Sequence, residues 1–241
     1  MSVTTEKTVG ELALEIPGAT RVFEKLGIDY CCGGGRTLEQ ACQTAHVPIN
    51  QAENSLAEAS RVASATTPPR NWEAEPLSEL LAHIQSTHHA YTREEITRLG
   101  PLFDKVCAVH GKNHSELLRL REIFTGLAAE LTTHLMKEEM VLFPYILRME
   151  EAVVAKEPVL PPPFGSVRNP VAMMMNEHDG AGSELRSMRE ISSGYAVPPD
   201  ACVSFQTLYQ ALAAFEADLH QHIHPENNVL FPRAVEMEGG H

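Results

Sequence analysis

What most constrains the fold of this chain is an apolar row that occurs twice and, at the same place in both copies, stops being apolar. One segment reads Leu117, Leu120, Phe124, Leu127 and Leu131, and continues with His134, Glu138 and Val141. Steps alternating between three and four residues lay these side chains along one face of a helix, as in the seam of a helix bundle. From Leu117 to Phe205 is an offset of 88 residues, and at that offset the row returns without a gap. It reads Phe205, Leu208, Leu212, Phe215 and Leu219, then His222, Glu226 and Val229; Leu142-Phe143-Pro144 likewise becomes Leu230-Phe231-Pro232. The chain therefore carries two related helical hairpins. A His and a Glu four residues apart share a helical face, and here each pair continues the row that should be interior. Unpartnered carboxylates and imidazoles are costly to bury, so something of opposite charge must accompany them. Metal ions held between facing helices are the economical answer.

The first helix of each hairpin should supply matching ligands. In the second hairpin this is His178, with Val171 seven residues before it and Leu185 and Met188 after it. The first hairpin offers the doublet His88-His89. Upstream, Leu81 and Ile84 fit His88; downstream, Ile96 and Leu99 fit His89, as does the spacing to His134. We take His89. The candidate metal set is then His89, His134, Glu138, His178, His222 and Glu226. If both carboxylates bridge two metals, each metal receives two imidazoles and two carboxylate oxygens. A solvent-derived bridge adds a fifth ligand and leaves an open position on each in an octahedral preference. Mixed nitrogen and oxygen donors suit iron, zinc, copper or nickel better than calcium or magnesium. Without cysteine among the donors, the set is unlike a structural zinc knuckle. The remaining histidines, among them His83, His110, His114, His220, His224 and His241, read as surface residues.

Strand patterns are scarce, and the chain reads as all-α. Four short helices are expected near Val9–Ile16, Ala19–Leu26, Leu38–His46 and Ile49–Arg61, forming a small domain over residues 1–65. A Pro-rich linker follows over 66–76. An up-down four-helix bundle is expected over 77–238, with helices near Leu77–Leu99, Leu117–Leu142, Val171–Ile191 and Ala201–Phe231. Asn169 and Asp200 look like helix caps, with Pro170 as a first helical residue. Nineteen Lys and Arg against 32 Asp and Glu give a formal charge of −13, which argues against nucleic acid and anionic membrane surfaces as partners. No apolar run is long enough to span a bilayer, and Met1–Gly10 lacks the form of a signal peptide, so a cytoplasmic protein is expected. Five cysteines are too few and irregular for a secreted disulfide framework.

The motifs Asp29-Tyr30-Cys31-Cys32-Gly33-Gly34, His134-x3-Glu138, Glu177-His178-Asp179 and His222-x3-Glu226 together resemble those of the iron–sulfur cluster repair di-iron proteins, the ScdA/YtfE-like family. The resemblance covers essentially the whole chain. It implies a haemerythrin-like bundle behind an ScdA-type amino-terminal domain. It also implies two iron ions, oxo- or hydroxo- and carboxylate-bridged, on the six residues above, and a carboxylate, Glu177, near the iron. The implied role is repair of clusters damaged by nitric oxide or oxidants, by donation of labile iron, in a stress response. Damaged iron–sulfur proteins would be its partners, and nitric oxide or dioxygen its small ligands. The alternatives are an enzyme reducing nitric oxide or dioxygen at the centre, and a gas-binding sensor. The family pattern is departed from at the His88-His89 doublet and at His224-Pro225, which would bend the last helix or add an outer imidazole.

Cys31 and Cys32 precede Thr37-Leu38-Glu39-Gln40, a capping-box pattern that starts a helix. That helix terminus and Arg36 would favour thiolate, making the pair nucleophilic or metal-binding. Neighbouring cysteines do not readily form a disulfide with each other. A partner thiol, a second copy of the chain in a homodimer, or a transferred metal is the expected target. Cys42, Cys107 and Cys202 read as small core residues.

Overall fold

The computed structural model describes residues 6–63 and 71–239. Residues 66–70 of the expected linker, and His241, lie outside them. Among the described residues, regular structure is helical apart from one isolated bridge between Thr8 and Thr37. No described helix is long and apolar enough to cross a membrane. The chain separates into two compact units. The first takes Met1–Leu80 together with His220–Glu236, and the second takes Leu81–Leu219 together with Met237–His241.

In the first unit, α1 (Val9–Glu15), α2 (Ala19–Leu26), α3 (Leu38–Thr44) and α4 (Ile49–Ala63) surround a core that includes Leu12, Phe23, Tyr30, Leu38 and Leu56. Capping boxes open two of these helices. Thr8 and Glu11 cap α1, and Thr37 and Gln40 cap α3, each pair exchanging side-chain and backbone hydrogen bonds. Gly27 ends α2 in the left-handed conformation at φ 66°, which glycine adopts without strain.

From Leu77 onward the chain forms four long helices, whose residues are divided between the two units as given above. The first runs from α5 (Leu77–His83) through a π turn, π1 (Ile84–His89), into α6 (Ala90–His110). The second is α7 (Glu116–Lys137), continued by π2 (Glu138–Leu142) and α8 (Phe143–Ala155). The third is α9 (Arg168–Ile191). The fourth is α10 (Val203–Pro225), continued by π3 (Glu226–Leu230) and α11 (Phe231–Gly239). Leu117, Leu120, Phe124, Leu127 and Leu131 are all buried, as are Phe205, Leu208, Leu212, Phe215 and Leu219. They form one core with Leu99, Phe103, Val106, Leu185 and Met188. Phe124 lies between Phe103 and Phe215, at centroid distances of 5.3 and 5.8 Å.

Several local expectations give way to packing. The first helix does not stop at Leu99: Pro101 is absorbed inside α6, because Phe103 and Val106 continue the buried row beyond it. Helix α9 begins at Arg168, so Pro170 is not its first residue, and Asn169 donates to the Phe164 carbonyl at 2.9 Å instead of capping. Asp200 caps nothing either, because α10 starts at Val203; it accepts a hydrogen bond from His114 Nε2 at 3.1 Å. Val141 is 45% exposed whereas Leu142 is 1% exposed, a slip of one position produced by π2. Pro225 ends the α-helical part of the fourth helix directly before π3. Cys42 is buried, but Cys107 is only half-buried and Cys202 is exposed. His224, expected at the surface, is buried.

Phe215→Ala should cost about 3–5 kcal/mol, read as a lower denaturant midpoint, because the bundle cannot collapse around a missing ring. His114 is held above its ordinary pKa, first by Asp200 and then by Glu116. A group whose folded pKa is raised adds stability below its unfolded pKa, and that stability fades as pH rises through the folded value. His114→Gln should therefore destabilise the protein in mildly acidic buffer and change little in alkaline buffer, which thermal melts across pH will read.

Candidate metal centre

Three π turns occur among the described residues, and each holds a candidate ligand at one end. Glu138 and Glu226 are the first residues of π2 and π3, and His89 is the last residue of π1. A π turn accommodates one extra residue, which widens the helix and advances its face. This resolves the doublet. Upstream of the turn the apolar row of Leu81 and Ile84 points on towards His88 by ordinary helical spacing. The extra residue in π1 brings His89 onto that row instead. His89 is fully buried, whereas His88 turns aside to pair its Nδ1 with Asp218 at 3.0 Å.

The six candidate side chains are all buried, and Glu138 and Glu226 show no exposure at all. Ligand-type atoms of His89, Glu138, His222 and Glu226 lie within 4.8 Å of one another, and so do those of His134, Glu138, His178 and Glu226. The two carboxylates are common to both sets. Each set therefore offers two imidazoles and two carboxylate groups, and each is a buried cluster able to coordinate a metal ion.

The polar contacts show why a cation fits. His89 Nδ1 donates to Glu139 Oε1 at 2.7 Å, and His134 Nδ1 donates to Glu177 Oε2 at 2.8 Å. With Nδ1–H committed in this way, each ring in its neutral, metal-binding form turns the lone pair of Nε2 inward. Both Nε2 atoms lie 3.4 Å from Glu138 Oε2. That is too long for a good hydrogen bond, and it sets lone pairs against a carboxylate. Among the described residues, neither oxygen of Glu138 accepts a hydrogen bond. A buried carboxylate faced by imidazole lone pairs is unstable without a positive charge among them. The Nε2 atoms of His134 and His178 are 3.1 Å apart. Two nitrogens bound at about 2.1 Å to one metal, at right angles, would be separated by about 3.0 Å.

Around this cluster lie Glu177, expected near the iron, and three groups that were not singled out, Glu139, Arg93 and Lys137. Glu139 joins His89 to Arg93, whose guanidinium reaches its other oxygen at 2.8 Å. Burial would raise the Glu139 pKa, but the hydrogen bonds from Arg93 and His89 outweigh it and hold the group below its ordinary range. Glu177 behaves in the same way: burial is outweighed by its contacts with Lys137 and His134. Glu177 is thus a tether for a cluster imidazole as well as a carboxylate near the site. A cavity of about 560 Å³ opens on this side, lined by Glu130, His134, Lys137, Glu177 and His178 among others.

In the first unit, Cys31, Cys32 and Asp29 form a separate group whose ligand-type atoms also lie within 4.8 Å of one another. The expected thiolate character is not found at Cys31. Its thiol is held well above the ordinary range, first by its contact with Cys32, then by burial and by Asp29. Arg36 is exposed to solvent.

Known proteins agree with this arrangement. Residues 5–60 match the ScdA_N domain, a domain of unknown function, and residues 80–234 match the haemerythrin HHE cation-binding domain. The iron–sulfur cluster repair protein YtfE of Pectobacterium carotovorum is 34% identical over 233 residues, covering 97% of this chain and 98% of the relative. YtfE of Escherichia coli O157:H7 is 35% identical over 234 residues, covering 97% and 98%. A probable iron–sulfur cluster repair protein of Haemophilus influenzae is 33% identical over 230 residues, covering 95% and 97%. Matched along almost its whole length, and carrying the buried cation-binding cluster in its haemerythrin domain, the chain belongs to the family of YtfE-like iron–sulfur cluster repair proteins.

Proposed function

We propose that His89, His134, Glu138, His178, His222 and Glu226 hold two iron ions, and that the protein repairs iron–sulfur clusters damaged by nitric oxide or oxidants by giving up ferrous iron. The observation that carries this reading is the sharing of both carboxylates between the two ligand sets. Two carboxylates cannot neutralise two divalent cations, so the filled site keeps a net positive charge in a buried place. A carboxylate-rich site would hold the same ions more tightly. Iron here is cargo, and a site that binds it without full charge compensation is suited to release. That the YtfE relatives are iron–sulfur cluster repair proteins supports the repair role.

The protein's own groups have defined tasks in this scheme. Glu139 and Glu177 hold the His89 and His134 rings by their Nδ1–H groups and turn each Nε2 towards the cluster. Lys137 and Arg93 hold those two carboxylates in place. Glu130 and Glu177, on the wall of the adjoining cavity, supply oxygen donors along a way out for a hard cation. Bound iron would offer open coordination positions to nitric oxide or dioxygen. The division of labour is a thiol-bearing domain over residues 1–65, a linker over 66–76 and the metal-holding bundle over 77–238. Five cysteines, none in a disulfide among the described residues, fit a reducing, cytoplasmic setting.

Incubating the diferrous protein with a nitric-oxide-damaged cluster enzyme should restore that enzyme's activity, with loss of iron from the protein in proportion. Restoration by the iron-free protein would overturn the donor reading. So would repeated consumption of nitric oxide with iron fully retained, which would instead make the protein a reductase. Glu139→Gln should weaken iron binding about 10–100-fold without removing a ligand. Glu138→Gln should abolish the rise in melting temperature on iron loading while leaving the metal-free protein at least as stable as wild type. Calorimetry with and without ferrous iron will read both.

A further inference from the structure

The geometry points to a second metal site, outside the His/Glu centre, in which Asp29, Cys31 and Cys32 hold one thiophilic divalent cation with a coordination position left open.

The two sulfurs are 3.8 Å apart. Two thiolates bound at about 2.3 Å to a tetrahedral metal are separated by about 3.8 Å, so the pair already has the spacing of a chelate. The carboxylate stands against them, with Asp29 Oδ1 3.5 Å from Cys31 Sγ. Asp29 is fixed there because Oδ1 accepts the backbone N–H groups of Cys32 and Gly33, each at 3.0 Å. The loop is anchored from a second direction. Asn227 and Asn228, the residues that follow Glu226, donate side-chain hydrogen bonds to the Cys31 carbonyl at 3.3 and 3.5 Å. Asn228 also donates to His224 Nδ1 at 3.0 Å, and the His224 ring meets Tyr30 edge-on at 5.3 Å. Gly34 is required for this approach: a Cβ there would collide with the Asn228 side-chain oxygen and the Tyr30 carbonyl. The donors are thus held in place before any cation arrives, and binding need not order a flexible loop.

Two thiolates and one carboxylate suit ferrous iron or zinc, and not magnesium or calcium. As each metal–sulfur bond forms, the thiol releases its proton to solvent. Cys31 is buried while Cys32 is half-buried, so the open position lies on the accessible side of Cys32. A donor from another molecule can complete the shell there. This site does not depend on whether the His/Glu centre donates iron.

Cobalt(II) added to the full-length reduced protein without oxygen tests the site, because a sulfur-to-cobalt charge-transfer band in the near ultraviolet arises only where thiolate binds. The His/Glu centre contains no sulfur and cannot produce it. Wild type and His89→Ala should both show the band. Cys31→Ser with Cys32→Ser should lose it while keeping the melting temperature of the metal-free wild type. Cys32→Ser alone, at the half-buried position, should roughly halve the band and serves if the double variant does not fold. Asp29→Asn should weaken cobalt binding at least about tenfold. Absence of the band in wild type, its survival in the cysteine variants, its loss in His89→Ala, or unchanged affinity in Asp29→Asn would each overturn the assignment.

Discussion

The structure depends on one electrostatic demand: two carboxylates and four imidazoles sit in the dry seam of a helix bundle. Apolar layers of leucine and phenylalanine hold the helices together below the cluster, and they also remove the water that would otherwise solvate those groups. Within the cluster, hydrogen bonding cannot satisfy Glu138, because the imidazoles nearest to it have committed their N–H groups outward to Glu139 and Glu177. The outer carboxylates therefore do two things. They orient the rings, and they make the interior demand a cation.

Much of this was legible in the sequence, for a definite reason. A bundle seam imposes a strict spacing, so polar residues that keep to the spacing stand out. The duplication at an offset of 88 residues showed the departure twice. The cluster His134, Glu138, His222 and Glu226 follows from that pattern alone, and His178 from the matching helix. The capping box at Thr37 and Gln40 was equally readable, because its chemistry is local.

The rest was hidden by events that local spacing does not record. A π turn leaves no composition signature, so Val141 was placed in the seam when Leu142 occupies it. The same kind of turn split the evidence for His88 and His89 into an upstream and a downstream answer. The first helix was expected to end near Leu99, but the buried row on both sides of Pro101 carries it on to His110. Glu139 could have been suspected only as an acid next to a ligand, and His224 only by knowing that Tyr30 lies against it. These contacts join residues far apart in the chain, and no short motif encodes them.

The anchoring of the cysteine loop by Asn228 has a consequence for how the molecule is made. The residues joined there are separated by 197 positions. On a ribosome, the loop emerges long before the asparagine that fixes it, and the small helical core behind it can condense during the wait. Until the later turn is synthesised, the vicinal sulfurs lack their final support. The nascent chain would thus pass through a period in which its vicinal sulfurs are least constrained, and maturation of this loop would be timed by a turn made 197 residues later.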